Sequence, residues 1–218
     1  MKTLSEDEFD ILNRIVQDVN ITIDSNFLYS KFSDSLKSLS PILVSIYFKI
    51  MNHDSKNRNW KNRDMVIPLN EKANIVKNIV EVHGDYASLS ELKNYLKDYH
   101  FQNIPNTLSE AIGYYIAQKD MNDNHKKYFF TLMNEKDLLN NFSTLEYIAK
   151  NKIKRIISIV YTSLSNKELN IENKINGRLM NIGFDTLVIN GSSVSSVCDA
   201  LIFAKKLDKP TIILANLN

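Results

Sequence analysis

Residues 183–217 read GFDTLVINGSSVSSVCDALIFAKKLDKPTIILANL. Two short runs rich in β-branched and aliphatic residues, Thr186 to Ile189 and Thr211 to Leu214, flank a segment of helix length, Ser193 to Leu207. Strand, helix, strand is the unit that builds a parallel sheet, because parallel neighbours need a crossover and a helix makes it compactly. The pattern continues upstream. Tyr128 to Met133 and Ile156 to Tyr161 are strand-like runs, and Asn141 to Lys150 and Glu168 to Ile182 are the segments of helix length between them. Residues 121–218 therefore read as a doubly wound, mostly parallel α/β sheet. Its strands are expected to be buried on both faces, with right-handed crossovers placing helices on both sides.

The first 120 residues have a different period. Ser5 and Glu8 form a capping box before Phe9, Leu12, Ile15, Val16 and Val19, predicting an amphipathic helix from about Ser5 to Val19. Pro41 suits a first helical turn, and Ile42, Leu43, Ile46, Tyr47 and Ile50 give the apolar face of a second helix ending near His53. Asp54 to Asp64 reads as a loop. Further helices are expected from Glu71 to Val82, from the Ser88/Glu91 capping box to Tyr99, and from the Thr107/Glu110 box through Gln118. No internal repeat, Gly/Ser linker or low-complexity tract stands out. The expectation is one domain over 1–218, a helical lead-in (1–120) joined to a sheet core (121–218), with ligands to be sought beyond the carboxyl ends of the strands.

Composition removes several classes of function. The chain has 27 Lys and Arg against 25 Asp and Glu, which gives no basic footprint for nucleic acid. No apolar run approaches the roughly 20 residues that cross a bilayer. The start MKTLSEDEFD is acidic and polar, unlike a secretory signal, so a cytoplasmic protein without membrane or nucleic-acid partners is expected. A lone Cys198 permits neither an intrachain disulfide nor a zinc cluster and reads as an apolar filler. His83, His100 and His125 show no ligand spacing. Only five of the 218 residues are Gly, against an average near 7%, and backbone cradles for phosphate depend on Gly.

Three stretches resemble the amino-terminal region of transketolases. ILVSIYFKIMNHDSKNRNWKNRDMVIPLNEKA, Ile42 to Ala73, is similar to that family's ILAVLYF helix followed by HDPKNPxWxxRDRF and LSxGHA. Tyr47, Phe48, His53, Asp54, Lys56, Asn57, Trp60, Arg63 and Asp64 match in order. Leu108 to Ala117 resembles the family's GLSxAVGMALA helix, and Gly183 to Leu217 parallels GWxVIEVDGHDxxxLxxALxxAKxxxxKPTVIIAxT. The resemblance implies the thiamine diphosphate-binding fold. The family's pyrimidine-binding and carboxyl-terminal domains have no counterpart in these residues, as in split two-subunit members.

The departures fall on the chemistry. Where the family's Gly-Asp-Gly and a later Asn hold the magnesium bridging thiamine diphosphate, this sequence has Met133-Asn134-Glu135-Lys136 and, for the Asn, a position near Ser163. The first Gly-His-Pro aligns near Lys31-Phe32-Ser33, the LSxGHA His falls at Lys72 after Glu71, GSLGQG shrinks to residues 103–107, and GHD reads Gly191-Ser192-Ser193. Losing these imidazoles and glycines removes the proton shuttles and the phosphate cradle. Crevice candidates are Asn134, Glu135, Ser163, Gly191 and Ser192. Their bland counterparts are a solvated loop at 134–137 and simple helix capping at 192–196. Phe27, Tyr29 and Phe32 read equally as a partner-binding patch or as a plug in a vacated cofactor cavity.

The resemblance therefore implies a degenerate transketolase-like subunit without catalytic residues, metal or cofactor, acting as a protein-binding or scaffolding module. Its partner would be a second copy or a chain carrying the missing domains. The alternative is enzymatic: with a separate pyrimidine-domain subunit, the chain would transfer two-carbon ketol units between sugar phosphates, using thiamine diphosphate and magnesium held by Asn134 and Glu135.

Overall fold

A computed structural model describes residues 4–25, 32–54, 57, 60–84, 107–120, 127–163 and 169–217. The Ser88/Glu91 helix, His100, His125, Phe27, Tyr29, Lys31 and Lys56 lie outside these residues, as does the Ser163 side chain.

The expected capping box at Ser5 forms. Glu8 N–H donates to Ser5 Oγ at 3.2 Å and Ser5 N–H to Glu8 Oε2 at 3.0 Å, starting α1 (Glu6–Asp24). The helix runs a turn beyond Val19 because Ile23 still reaches the core. Ser33 to Lys37, within a stretch the periodicity leaves unassigned, forms a short helix α2. In α3 (Ser40–Ser45) every residue is buried, and the helix widens into one π turn, Ile46–Ile50, closed by Met51 N–H to Ile46 O at 2.8 Å. It stops there, short of the expected end at His53.

The sheet has five strands, one more than predicted. β1 (Met65–Pro68) is followed by α4 (Glu71–His83) and α5 (Leu108–Asp120). β2 (Phe129–Asn134) leads directly into α6 (Glu135–Asn140) and α7 (Phe142–Lys150). β3 (Ile156–Ser163), α8 (Leu169–Ile182), β4 (Asp185–Asn190), α9 (Val194–Ala204) and β5 (Thr211–Leu217) complete the order. All four pairings are parallel, in the order β1-β2-β3-β5-β4. Four residues ending in Pro carry little strand signal; Pro68 is tolerated because β1 is an edge strand with N–H groups to spare.

Side chains alternate between two cores, as period two requires. Phe130, Leu132, Ile157 and Ile159 pack with α1, α3, α4 and α9, while Phe129, Met133, Ile156 and Val160 pack with α5, α7 and α8. Burial on both faces holds for β2, β3 and β5. It fails for β4, which has a neighbour on one side only and leaves Val188 48% exposed.

Asp64 ties the amino ends of the sheet together. Its carboxylate accepts from Asn52 N–H at 2.9 Å and Tyr128 N–H at 2.8 Å, with Lys205 Nζ at 3.4 Å. Lys205 also donates to Ile50 O at 2.9 Å and stands 4.6 Å from the Tyr128 ring centre.

Candidate functional site

The same three residues carry the chain from each of β1 and β2 into the helix that follows, Asn70-Glu71-Lys72 and Asn134-Glu135-Lys136. The spacing of 64 equals the offset of the β1–β2 ladder, in which Met65 faces Phe129 and Pro68 faces Leu132, so the two triplets lie side by side. Each Asn caps the helix that follows. Asn70 Oδ1 accepts from Ala73 N–H at 3.1 Å and Asn134 Oδ1 from Asp137 N–H at 2.9 Å; Asp137 Oδ2 accepts from Asn134 N–H at 3.2 Å to complete a capping box. The run Asn134 to Asp137 is thus a helix start, not the solvated loop its polarity suggests.

From these caps the chain diverges. Val76 of α4 enters one core and Leu138 of α6 the other, so the carboxyl ends of β1 and β2 form a topological switch point, the usual place for a crevice. Side chains span it. Asn70 Nδ2 donates to Asp137 Oδ2 at 2.7 Å, and Tyr161 of β3, paired with Asn134 in the ladder, donates its hydroxyl to Asn70 Oδ1 at 2.7 Å. Burial pushes the Tyr161 phenol well above its ordinary range and the Asp137 charge adds to this, against an opposing effect of hydrogen bonds with Asn70 and Asn134.

Against this bridge lies a cavity of about 530 Å³. Glu71, Lys72, Glu135 and Lys136 line it, so two carboxylates balance two ammonium groups. Ser35 and Ser38 form another wall, and Leu217 closes the β5 side. Lys72, at the family's His position, is exposed on the first turn of α4, 5.6 Å from the centre of the Phe32 ring.

Of the crevice candidates, Asn134 and Glu135 line the cavity. Gly191 does not. Its N–H donates to Asn216 O at 2.8 Å, and a Cβ at this position would lie 2.9 Å from Leu217 Cδ2 and 3.0 Å from Ala215 Cβ. This glycine is demanded by packing against β5. Ser192 is exposed and donates its N–H to Asn190 Oδ1, while Ser193 caps α9 through Ser196 N–H at 3.3 Å. Ser163 ends β3 opposite Leu217. Cys198 is fully buried, and burial pushes its thiol up. His53 Nδ1 lies 3.0 Å from Met51 O within its loop. Sequence reasoning missed Asn70 and Tyr161; the repeated Asn-Glu-Lys points to Asn70 only once the β1–β2 register is known.

A magnesium-bridged diphosphate does not fit these residues. A hard cation needs about six converging oxygens. Here the Asn134 carbonyl oxygen is committed to a helix cap and Asp137 Oδ2 accepts two hydrogen bonds from the chain itself. Among the described residues no group of three or more His, Cys, Asp or Glu is placed to hold a metal ion. Positions 133–136 contain no Gly, so every residue at the end of β2 carries a Cβ where phosphate would need close backbone approach.

No protein-family model matches the sequence, and no curated protein does. Solved structures do. The fold is transketolase-like. Transketolase from Leishmania mexicana superposes with a TM-score of 0.76 at 15% identity, over 94% of this chain and 36% of that one. The Campylobacter jejuni transketolase gives 0.70 at 21% identity over 94% and 38%, and a Pichia stipitis transketolase 0.72 at 15% over 95% and 36%. The chain thus spans little more than a third of the length of these transketolases. Among the described residues no helix is long and apolar enough to cross a membrane.

Proposed function

We propose that this chain is a transketolase-like domain that has left catalysis and works by binding protein, either a second copy of itself or a chain carrying the pyrimidine-binding and carboxyl-terminal domains. The observation that carries this reading is the use of the carboxyl-end polar groups. Asn134 stands where the resemblance expects a metal ligand, and its side-chain oxygen caps α6, while Asp137 Oδ2 accepts from Asn134 N–H and Asn70 Nδ2. The same positions supply no Gly and no imidazole, while the residues that pack the fold are present.

Calorimetry tests the reading against the split-enzyme alternative. Thiamine diphosphate with Mg²⁺ is titrated into the purified chain, alone and mixed with a chain supplying a pyrimidine-binding domain. No heat at millimolar ligand is expected in either case, and saturable binding in either overturns the proposal. The protein-binding role has its own check in light scattering: a chain that stays monomeric and forms no complex with that second chain contradicts it.

A further inference from the structure

The residues at the switch point do more than lack ligands; they fill the crevice with contacts of their own. Asp137 supplies a carboxylate between the ends of β1 and β2, held by Asn70 Nδ2 and Asn134 N–H, and the Tyr161 hydroxyl fixes the other end of the Asn70 carboxamide. Three side chains, from just beyond β1, from β3 and from the first turn of α6, thus join with the Asn134 backbone amide at the end of β2 across a gap that α/β sheets ordinarily leave to a ligand. Asn70, Asn134 and Tyr161 form part of the wall of the cavity, together with Lys72 and Lys136.

We propose that Asn70, Asp137 and Tyr161 form a clasp that bars the crevice to diphosphate anions, the Asp137 carboxylate acting as an internal occupant by charge and by volume. This deepens, and rests on, the reading of the chain as a non-catalytic domain. Closing the gap from within lets the carboxyl edge of the sheet be ordered with nothing bound. Removing the carboxylate releases Asn70 Nδ2 and takes one negative charge from beside the cavity: Glu71 and Glu135 already balance Lys72 and Lys136, so the surroundings go from net negative to neutral and repel an anion less.

The test compares wild type with Asp137→Ala, Asp137→Asn and Tyr161→Phe, reading melting temperature and calorimetric heat as inorganic pyrophosphate with Mg²⁺ is added. Asp137→Asn keeps the shape and an acceptor, so it covers the case in which Asp137→Ala fails to fold. Wild type and Tyr161→Phe, which both keep the carboxylate, should not respond. The Asp137 variants should start lower and rise by about 3–5 °C once pyrophosphate reaches roughly ten times its dissociation constant. Asp137 variants as indifferent as wild type would overturn the clasp and leave the non-catalytic reading standing. A wild-type response to pyrophosphate alone would also overturn it, whereas a wild-type response to thiamine diphosphate would sink the proposed function itself.

Discussion

Replacing Asp64 by Ala should be among the most damaging single changes outside the apolar core, and the structure says through which contacts. The carboxylate, 2% exposed, satisfies two backbone donors, Asn52 N–H and Tyr128 N–H. Orphaning a buried donor costs about 1–3 kcal/mol. The Lys205 contact adds less: the ammonium is 3.4 Å away, its side chain is 23% exposed, and it keeps the Ile50 carbonyl and the Tyr128 ring after the carboxylate is gone. The two amides together come to about 2–6 kcal/mol, against a total of roughly 5–15 for a domain. For a chain of this size that is roughly 4–24 °C in melting temperature. Urea unfolding of Asp64→Ala, Lys205→Met and the double variant apportions the loss. Asp64→Ala should cost two to three times as much as Lys205→Met, with a coupling below about 1 kcal/mol. If Asp64→Ala costs under about 1 kcal/mol, or Lys205→Met costs as much, the two amides are not what the carboxylate is for.

Gly191→Ala should destabilise by about 1–3 kcal/mol in denaturant titration, because the added methyl meets Ala215 Cβ at 3.0 Å and Leu217 Cδ2 at 2.9 Å, and only the latter is a flexible end. Unchanged stability would mean that β5 yields. Tyr161 predicts an alkaline effect. Its folded phenol titrates above the ordinary value of 10.0, so its contribution is fully present below pH 10 and is lost as pH rises beyond, where the unfolded chain ionises first. Tyr161→Phe should flatten the fall in unfolding free energy between pH 9.5 and pH 11, which for one phenol is at most about 1.4 kcal/mol per pH unit; an identical fall in both proteins rejects the assignment.

Legibility in the sequence followed burial. Strands β2, β3 and β5 are buried on both faces, and the runs Tyr128 to Met133, Ile156 to Tyr161 and Thr211 to Leu214 announced them. β1 was silent because four residues at an edge leave no room for periodicity and Pro68 argues for a turn. β4 was found but its burial was overstated, since its apolar run looks central and only the strand order shows it to be an edge. Around the candidate site, the dependence is on register. Asn134 and Glu135 were located from their place after a strand, yet Asn70 became visible only when the β1–β2 ladder aligned the two Asn-Glu-Lys triplets. The sequence offered no pairing from which that alignment follows.

The matched and unmatched residues answer to different physical demands, and the structure lets the two be separated. Asp64 satisfies amides from two segments. Tyr47 donates to Glu81 at 2.8 Å, and Arg63 and Lys77 flank the same carboxylate at 3.6 and 2.9 Å, so Glu81 gathers contacts from the π turn, the following loop and α4. Those groups sit at or near the amino ends of the strands, where a substitution leaves half-buried charges and amides without partners whether or not the protein is an enzyme. At the carboxyl ends the demand is weaker. A helix N-terminus there needs an acceptor, and a bound ligand or an Asn side chain meets that need equally well. Asn70, Asn134 and Asp137 take the second solution, so the helices after β1 and β2 are capped from within the chain.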